Sequence, residues 1–257
     1  MPLMDRSLEA ALWGAGASSA LLIGAAIGFL IDLPPRLIAA VMAFGSGVLI
    51  SALAFDLMDE AFAHGGLWGS AIGFLAGATM FTVLNVALSR MGAHRRKRAA
   101  APDPAEAADE AVAEANPLAI ALGSMLDNIP ESIAIGLTLI GGGAIGIVTV
   151  IAVFLSNVPE ALSASAGFRR RGRSARYVFS LWGGAVLACA VASFLGYTVF
   201  STLPDAVVAG TTAFAAGAIL AMLADTMIPE AFAVAHEAAG LIAAVGFVAA
   251  FALSKAA

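Results

Sequence analysis

"LDNIPESIAIG", residues 126–136, sets two carboxylates, an amide and a proline inside an otherwise apolar run. One run later comes "LSNVPEALSAS", residues 155–165, in which Asn157, Pro159 and Glu160 repeat the spacing of Asn128, Pro130 and Glu131. Read outward, the first motif lies in a run from Pro117 to Ile140 and the second in a run from Ala144 to Phe168. Each run is long enough for one helix to cross the roughly 30 Å hydrocarbon layer of a bilayer, which takes about 20 residues. Both motifs fall near the midpoint, where a charge is most costly. The fold is therefore decided by why the chain keeps acids there.

The rest of the chain has the same character. Apolar residues make up 61% of it and charged residues only 12%, with a mean hydropathy of +0.94. Soluble domains average about 45–50% and 25%. Nothing shows the short alternating segments of an outer-membrane barrel, so the composition predicts an all-α integral membrane protein. Hydrophobic windows place eight transmembrane helices at roughly 10–31, 37–58, 67–88, 117–140, 144–168, 177–203, 206–233 and 238–253. Pro34-Pro35, Gly65-Gly66, Gly141-Gly142-Gly143 and Pro204-Asp205 punctuate them, and one polar link at about 90–116 reads as flexible. The whole of 1–257 is read as one transmembrane domain. The first run lacks a basic flank and exceeds a signal peptide's apolar region, so it is kept as a span.

The basic residues set the orientation. Of 13 Lys and Arg, all but Arg6 and Lys255 fall in links that follow odd-numbered spans. The positive-inside rule then puts both termini on the extracytoplasmic side. The Arg90–Arg98 and Arg169–Arg176 clusters are read as topology signals rather than as nucleic-acid or lipid-specific sites. Cys189, the lone cysteine, reads as a small buried apolar residue, which excludes disulfides and thiolate clusters. HExxH, GxSxG and Walker patterns are absent, so no enzymatic chemistry is expected.

An internal repeat orders the spans. "FGSGVLISALAFDLMDEAFA" (44–63) aligns without gaps to "FAAGAILAMLADTMIPEAFA" (214–233), a constant offset of 170 that pairs Phe44 with Phe214, Gly47 with Gly217 and Glu60 with Glu230. The two copies lie on an even and an odd span, hence in opposite topology, as do the two Asn-x-Pro-Glu copies. Inverted repeats meeting at proline-broken midplane helices are a recurring design of secondary transporters.

A central acid costs about 2.5–3.5 kcal/mol on insertion scales, and no Lys or Arg lies within any predicted span. Asp127, Glu131 and Glu160 thus call for a cation from outside the chain, either a metal ion or protons. Asp127 and Glu131 stand i,i+4 on one helix face, with Asn128 about 100° away. Pro130 and Pro159 free the carbonyls of Leu126 and Leu155. Such oxygens suit a divalent cation. Asp56 and Glu60 near the outer end of span 2, with Asp225, Glu230 and His236 near the inner end of span 7, extend a carboxylate track across the membrane.

These residues resemble the ZIP (Zrt/Irt-like protein) family along all eight spans. Its members carry His-Asn-x-Pro-Glu-Gly on span 4, a second Pro-Glu-Gly motif on span 5, and Pro-Glu-Ala closing spans 2 and 7. The counterparts here are Asp127-Asn128-Ile129-Pro130-Glu131-Ser132, Ser156-Asn157-Val158-Pro159-Glu160-Ala161, Asp59-Glu60-Ala61 and Pro229-Glu230-Ala231. The resemblance implies a three-plus-two-plus-three helix arrangement that moves zinc, manganese, iron or similar ions toward the cytoplasm, with Asn128, Glu131, Asn157 and Glu160 lining the transport site. Asp127 replaces the family's span-4 histidine, Asp56 stands where span 2 often has one, and span 6 offers no acid for a second metal. The cation is the transported substrate, and no prosthetic group is expected. The expected partners are divalent ions and membrane lipid in a prokaryotic inner membrane, with a homodimer admitted and nucleic acid excluded. A membrane sensor or scaffold that binds an ion without flux, and a proton-coupled carrier of a non-metal substrate, stay open at this point.

Overall fold

A computed structural model describes residues 3–90, 117–140 and 146–256. The link at 91–116 and the Gly141–Gly143 turn lie outside them. All regular structure among the described residues is helical. Helix α1 spans Leu3–Leu30, and α2, Pro35–Ala52, passes through a π-helical turn, Leu53–Leu57, into α3, Met58–Arg90. Then follow α4, Pro117–Leu137; α5, Ile147–Arg170; and α6, Ala175–Phe200. Helix α7, Asp205–Met222, leads through a second π-helical turn, Leu223–Met227, into α8, Ile228–Ala235, and α9, Ala238–Ala256, follows.

Six helical stretches among the described residues are long and apolar enough to cross a membrane. One of them, Pro35–Arg90, runs 56 residues and carries two predicted spans. At about 1.5 Å per residue it is far longer than one bilayer crossing. Its helical dihedrals fail at Gly66, where φ is 65° and ψ 179°, a region open to glycine because it lacks a Cβ.

The distribution of side chains is inverted relative to a soluble domain. Trp68, Leu241 and Leu12 are 77%, 72% and 73% exposed, whereas Asp127, Asn128, Glu131, Ser132, Ser156 and Asn157 are buried. Apolar rows facing outward on α1, α3, α6 and α9 are stable only against lipid tails. The chain is an integral membrane protein.

Small residues let the helices close on the polar centre. A Cβ on Gly77 would strike the Phe214 carbonyl oxygen, and one on Gly217 would strike that of Phe74, so α3 and α7 touch backbone to backbone at reciprocal sites. Helices α2 and α9 meet the same way, through Gly47 against Ala243 and Gly246 against Phe44. Helix α1 lies against α5 and α6, and α4 against α6. The two π-helical turns occupy the same register at the offset of 170, Leu53 matching Leu223 and Leu57 matching Met227, and each preceding helix is capped by a proline, Pro34 or Pro204. A π turn inserts one residue into the ladder and re-aims the side chains beyond it, a device frequent at functional sites.

Candidate functional site

Pro130 sits inside α4 and Pro159 inside α5. Neither can donate to the helical ladder, so each helix is weakened where its polar residues lie. The two motifs meet there: Asn128 Nδ2 donates to Glu160 Oε1 at 3.3 Å and to its own helix at Ser124 O, 2.8 Å away. Asp127 and Glu131 are 2% exposed and Asn128 and Asn157 are 1% exposed, while Glu160 is half-buried. Four of the five residues are thus buried, and Glu160 is partly accessible.

Several oxygens around this contact have no hydrogen-bond partner among the described residues: Asn128 Oδ1, Asn157 Oδ1 and the hydroxyls of Ser124 and Ser163, along with Asn157 Nδ2. Other serines in these helices satisfy themselves locally. Ser132 Oγ donates to Asn128 O at 2.9 Å, and Ser156 Oγ to Val153 O at 2.9 Å. A buried polar atom left unmatched costs about 1–3 kcal/mol, so an amide with both ends open is a cost that the described contacts do not offset. Helix α2 packs on this region through Gly45, which lies against Ser156 and Pro159.

No three His, Cys, Asp or Glu side chains converge closely enough to hold a metal ion among the described residues. The arrangement is accordingly mixed, with amide carbonyls beside carboxylates, rather than an acid cage. The five side chains are three carboxylates and two amides, with no imidazole or thiolate among them.

The outlying candidates fall elsewhere. Asp56, on the first π-helical turn, is half-buried and accepts hydrogen bonds from Ser254 Oγ at 3.0 Å and Thr149 Oγ1 at 3.5 Å, tying α9 and α5 to α2. Glu60 lines a cavity of about 160 Å³ with His64, Asp205 and Thr212. Asp225 and His236 are exposed, and Glu230 is half-buried. His236 ends α8 with φ at 49°. Thr149 and Ser254 escape sequence reasoning because they are ordinary membrane-helix residues far from Asp56 in the chain. Cys189 was legible as buried, but its neighbours were not. Its Sγ lies 4.0 Å from Asn128 O, next to the Ser132 and Ser18 hydroxyls and within electrostatic reach of Glu131 and Glu160.

This geometry can be set beside known proteins. A protein of Arabidopsis thaliana named "Putative zinc transporter" is 28% identical to this chain over 233 residues. The match covers 86% of this chain but 34% of the plant protein, so the chain spans about a third of that relative's length. No protein-family model matches. A transporter-like relative and an all-helical membrane fold fit a chain that is not an enzyme.

Proposed function

We propose that the chain is a ZIP-like secondary transporter that moves divalent cations toward the cytoplasm by alternating access. The observation that carries this reading is the contact of Asn128 with Glu160. It joins two helices, each with a proline inside it, through polar side chains at mid-span, beside an Asn157 amide whose two ends are both open. Asp127, Asn128, Glu131, Asn157 and Glu160 form the transport site. Asp56, Glu60, Asp225, Glu230 and His236 line the way in and out. Asp127 takes the place of the family's histidine, and the all-oxygen set makes the site broad or manganese-leaning among Zn²⁺, Mn²⁺ and Fe²⁺.

The proposed architecture is a single domain of eight spans in a three-plus-two-plus-three inverted repeat, with both termini extracytoplasmic, in a prokaryotic inner membrane. The matched π-helical turns and the reciprocal glycine contacts support it, as does the break at Gly66 that divides Pro35–Arg90. In the transport cycle the helix pair α4–α5 carries the cation while α2, α3, α7 and α9 pack as a frame around it. A homodimer is compatible with this arrangement.

The test is cation flux into proteoliposomes with Zn, Mn, Fe, Co, Cd and Mg. Saturable uptake of at least one transition ion, abolished by Glu131→Ala, is expected. A second reading is an ion sensor without flux. Cation binding by the purified protein with no flux for any ion would replace the first reading by the second.

A further inference from the structure

The arginines at the junction of α5 and α6 do more than fix orientation. From Ala161 to Pro204 the chain holds five arginines, Arg169, Arg170, Arg171, Arg173 and Arg176, and no Asp, Glu or Lys. Positive-inside orientation asks only for positive charge, which Lys supplies equally. An all-arginine group is the choice for a forked, weakly hydrated anion such as a phosphate diester.

The fold adds three features. Arg169 forms an ion pair with Asp32 and donates from Nη1 to Phe29 O at 3.2 Å, drawing the α1–α2 link against the α5–α6 link. That brings Arg36, four residues beyond Asp32, to the same end of the bundle, and it uses the acid of that link on one arginine. Arg173 is held over the Tyr177 ring, 5.4 Å from its centroid, so its guanidinium is pre-positioned. Arg36, Arg170, Arg171 and Arg176 are exposed.

Depth is set by helix length. Helix α5 has 24 residues, about 36 Å at 1.5 Å per residue, against a hydrocarbon layer of roughly 30 Å. Its apolar part ends at Phe168, and the arginines follow directly, at the level of lipid headgroups.

We infer that Arg36, Arg170, Arg171, Arg173 and Arg176 form a binding site for the phosphate headgroup of an anionic glycerophospholipid, seated between the α1–α2 and α5–α6 links. The site is independent of the cation path, and its test does not use transport.

The purified full chain in neutral detergent is titrated with short-chain phosphatidylglycerol or phosphatidylcholine, and the thermal unfolding midpoint is followed. Phosphatidylglycerol should raise the midpoint saturably, and phosphatidylcholine should not. The triple variant R170Q/R171Q/R176Q should weaken the half-saturating phosphatidylglycerol concentration roughly a hundredfold, since each basic residue near the surface contributes about fivefold. R95Q/R96Q/R98Q, which removes the same charge from another link, should leave it unchanged. Equal stabilisation by the two lipids overturns the proposal, and so does an equal loss in both triple variants, which would mean diffuse charge attraction. Inorganic phosphate reproducing the full shift would overturn it too, by identifying a free-anion site.

Discussion

Glu160→Ala separates a transport ligand from a structural contact, because the two roles predict opposite pairs of outcomes. Glu160 accepts a long hydrogen bond from Asn128 Nδ2, at 3.3 Å. Asn128 Nδ2 retains a shorter bond to Ser124 O at 2.8 Å, so the truncation leaves no orphaned donor. The bond lost is worth about 1 kcal/mol at that length. Against it stands relief from holding a carboxylate near the bilayer centre, up to about 2.5–3.5 kcal/mol at full burial and less for this half-buried side chain. The two nearly cancel, so without metal the variant should unfold within about 1–2 kcal/mol of the parent, on either side. Flux should be lost entirely, because the site forfeits one of its anionic ligands. Uptake into proteoliposomes at matched protein content, beside thermal unfolding in chelator, measures both. Parental flux would refute the assignment of Glu160 to the transport site. A large fall in metal-free stability, with flux scaling to the folded fraction, would show that the carboxylate only ties α4 to α5.

Three further outcomes follow from the geometry. Glu131→Ala should behave as Glu160→Ala does, inserted and stable but without flux, and retained uptake would remove it from the site. In a Cys189→Ala background, single cysteines at 95 and 171 should resist an impermeant maleimide applied from outside while one at 64 reacts; outside labelling at 95 would overturn the topology. Gly77→Ala and Gly217→Ala each force a methyl into a facing backbone carbonyl and should cost about 1–3 kcal/mol. Gly183→Ala and Gly184→Ala meet nothing within 4 Å and should shift stability by less than about 1 kcal/mol, so equal effects at all four sites would discredit the backbone contacts.

What could be read from the chain and what could not divides along a physical line. Helix boundaries depend on local chemistry, and the breaks at Pro34, Gly66 and Pro204 stand where the turn residues put them. The offset of 170 between the two repeats was visible as matched identities, but the π-helical turns that share the offset were not, because an extra residue in the ladder leaves no compositional trace. The site shows the same split. Three acids and two amides in the middle of apolar helices are conspicuous one by one. Their meeting through Asn128 and Glu160 is a tertiary fact, set by Gly24 and Gly28 admitting α5 against α1 and by Gly136 and Gly196 admitting α4 against α6. Asp56 illustrates the limit. Its charge is plain in the sequence, while Ser254, which donates to it across the bundle, carries no signal of that contact. Glu60 and Glu230 align in the repeat, but the His64 and Asp205 that share a cavity with Glu60 are matched at the offset of 170 by Val234 and Pro35.

Asp127 is where ligand chemistry should set the metal preference. It is 2% exposed and one residue from Asn128, on the helix face shared with Glu131. An imidazole at this position is a borderline ligand that holds Zn²⁺ well, whereas a carboxylate adds a hard oxygen and one more negative charge. Asp127→His should therefore lower the site's negative charge by one and raise the ratio of Zn²⁺ to Mn²⁺ uptake severalfold. The ring is larger than the carboxylate, and overpacking a buried site costs about 1–3 kcal/mol, so expression and unfolding must be matched before rates are compared. Asp127→Asn isolates charge: it removes the anion without supplying nitrogen, and its ratio should move less than that of the histidine variant. Competition uptake with both ions present gives the ratio directly and cancels differences in active fraction. If the histidine variant and the parent are both active with the same ratio, Asp127 does not touch the cation in transit, and its burial beside Asn128 serves the conformation of α4 instead.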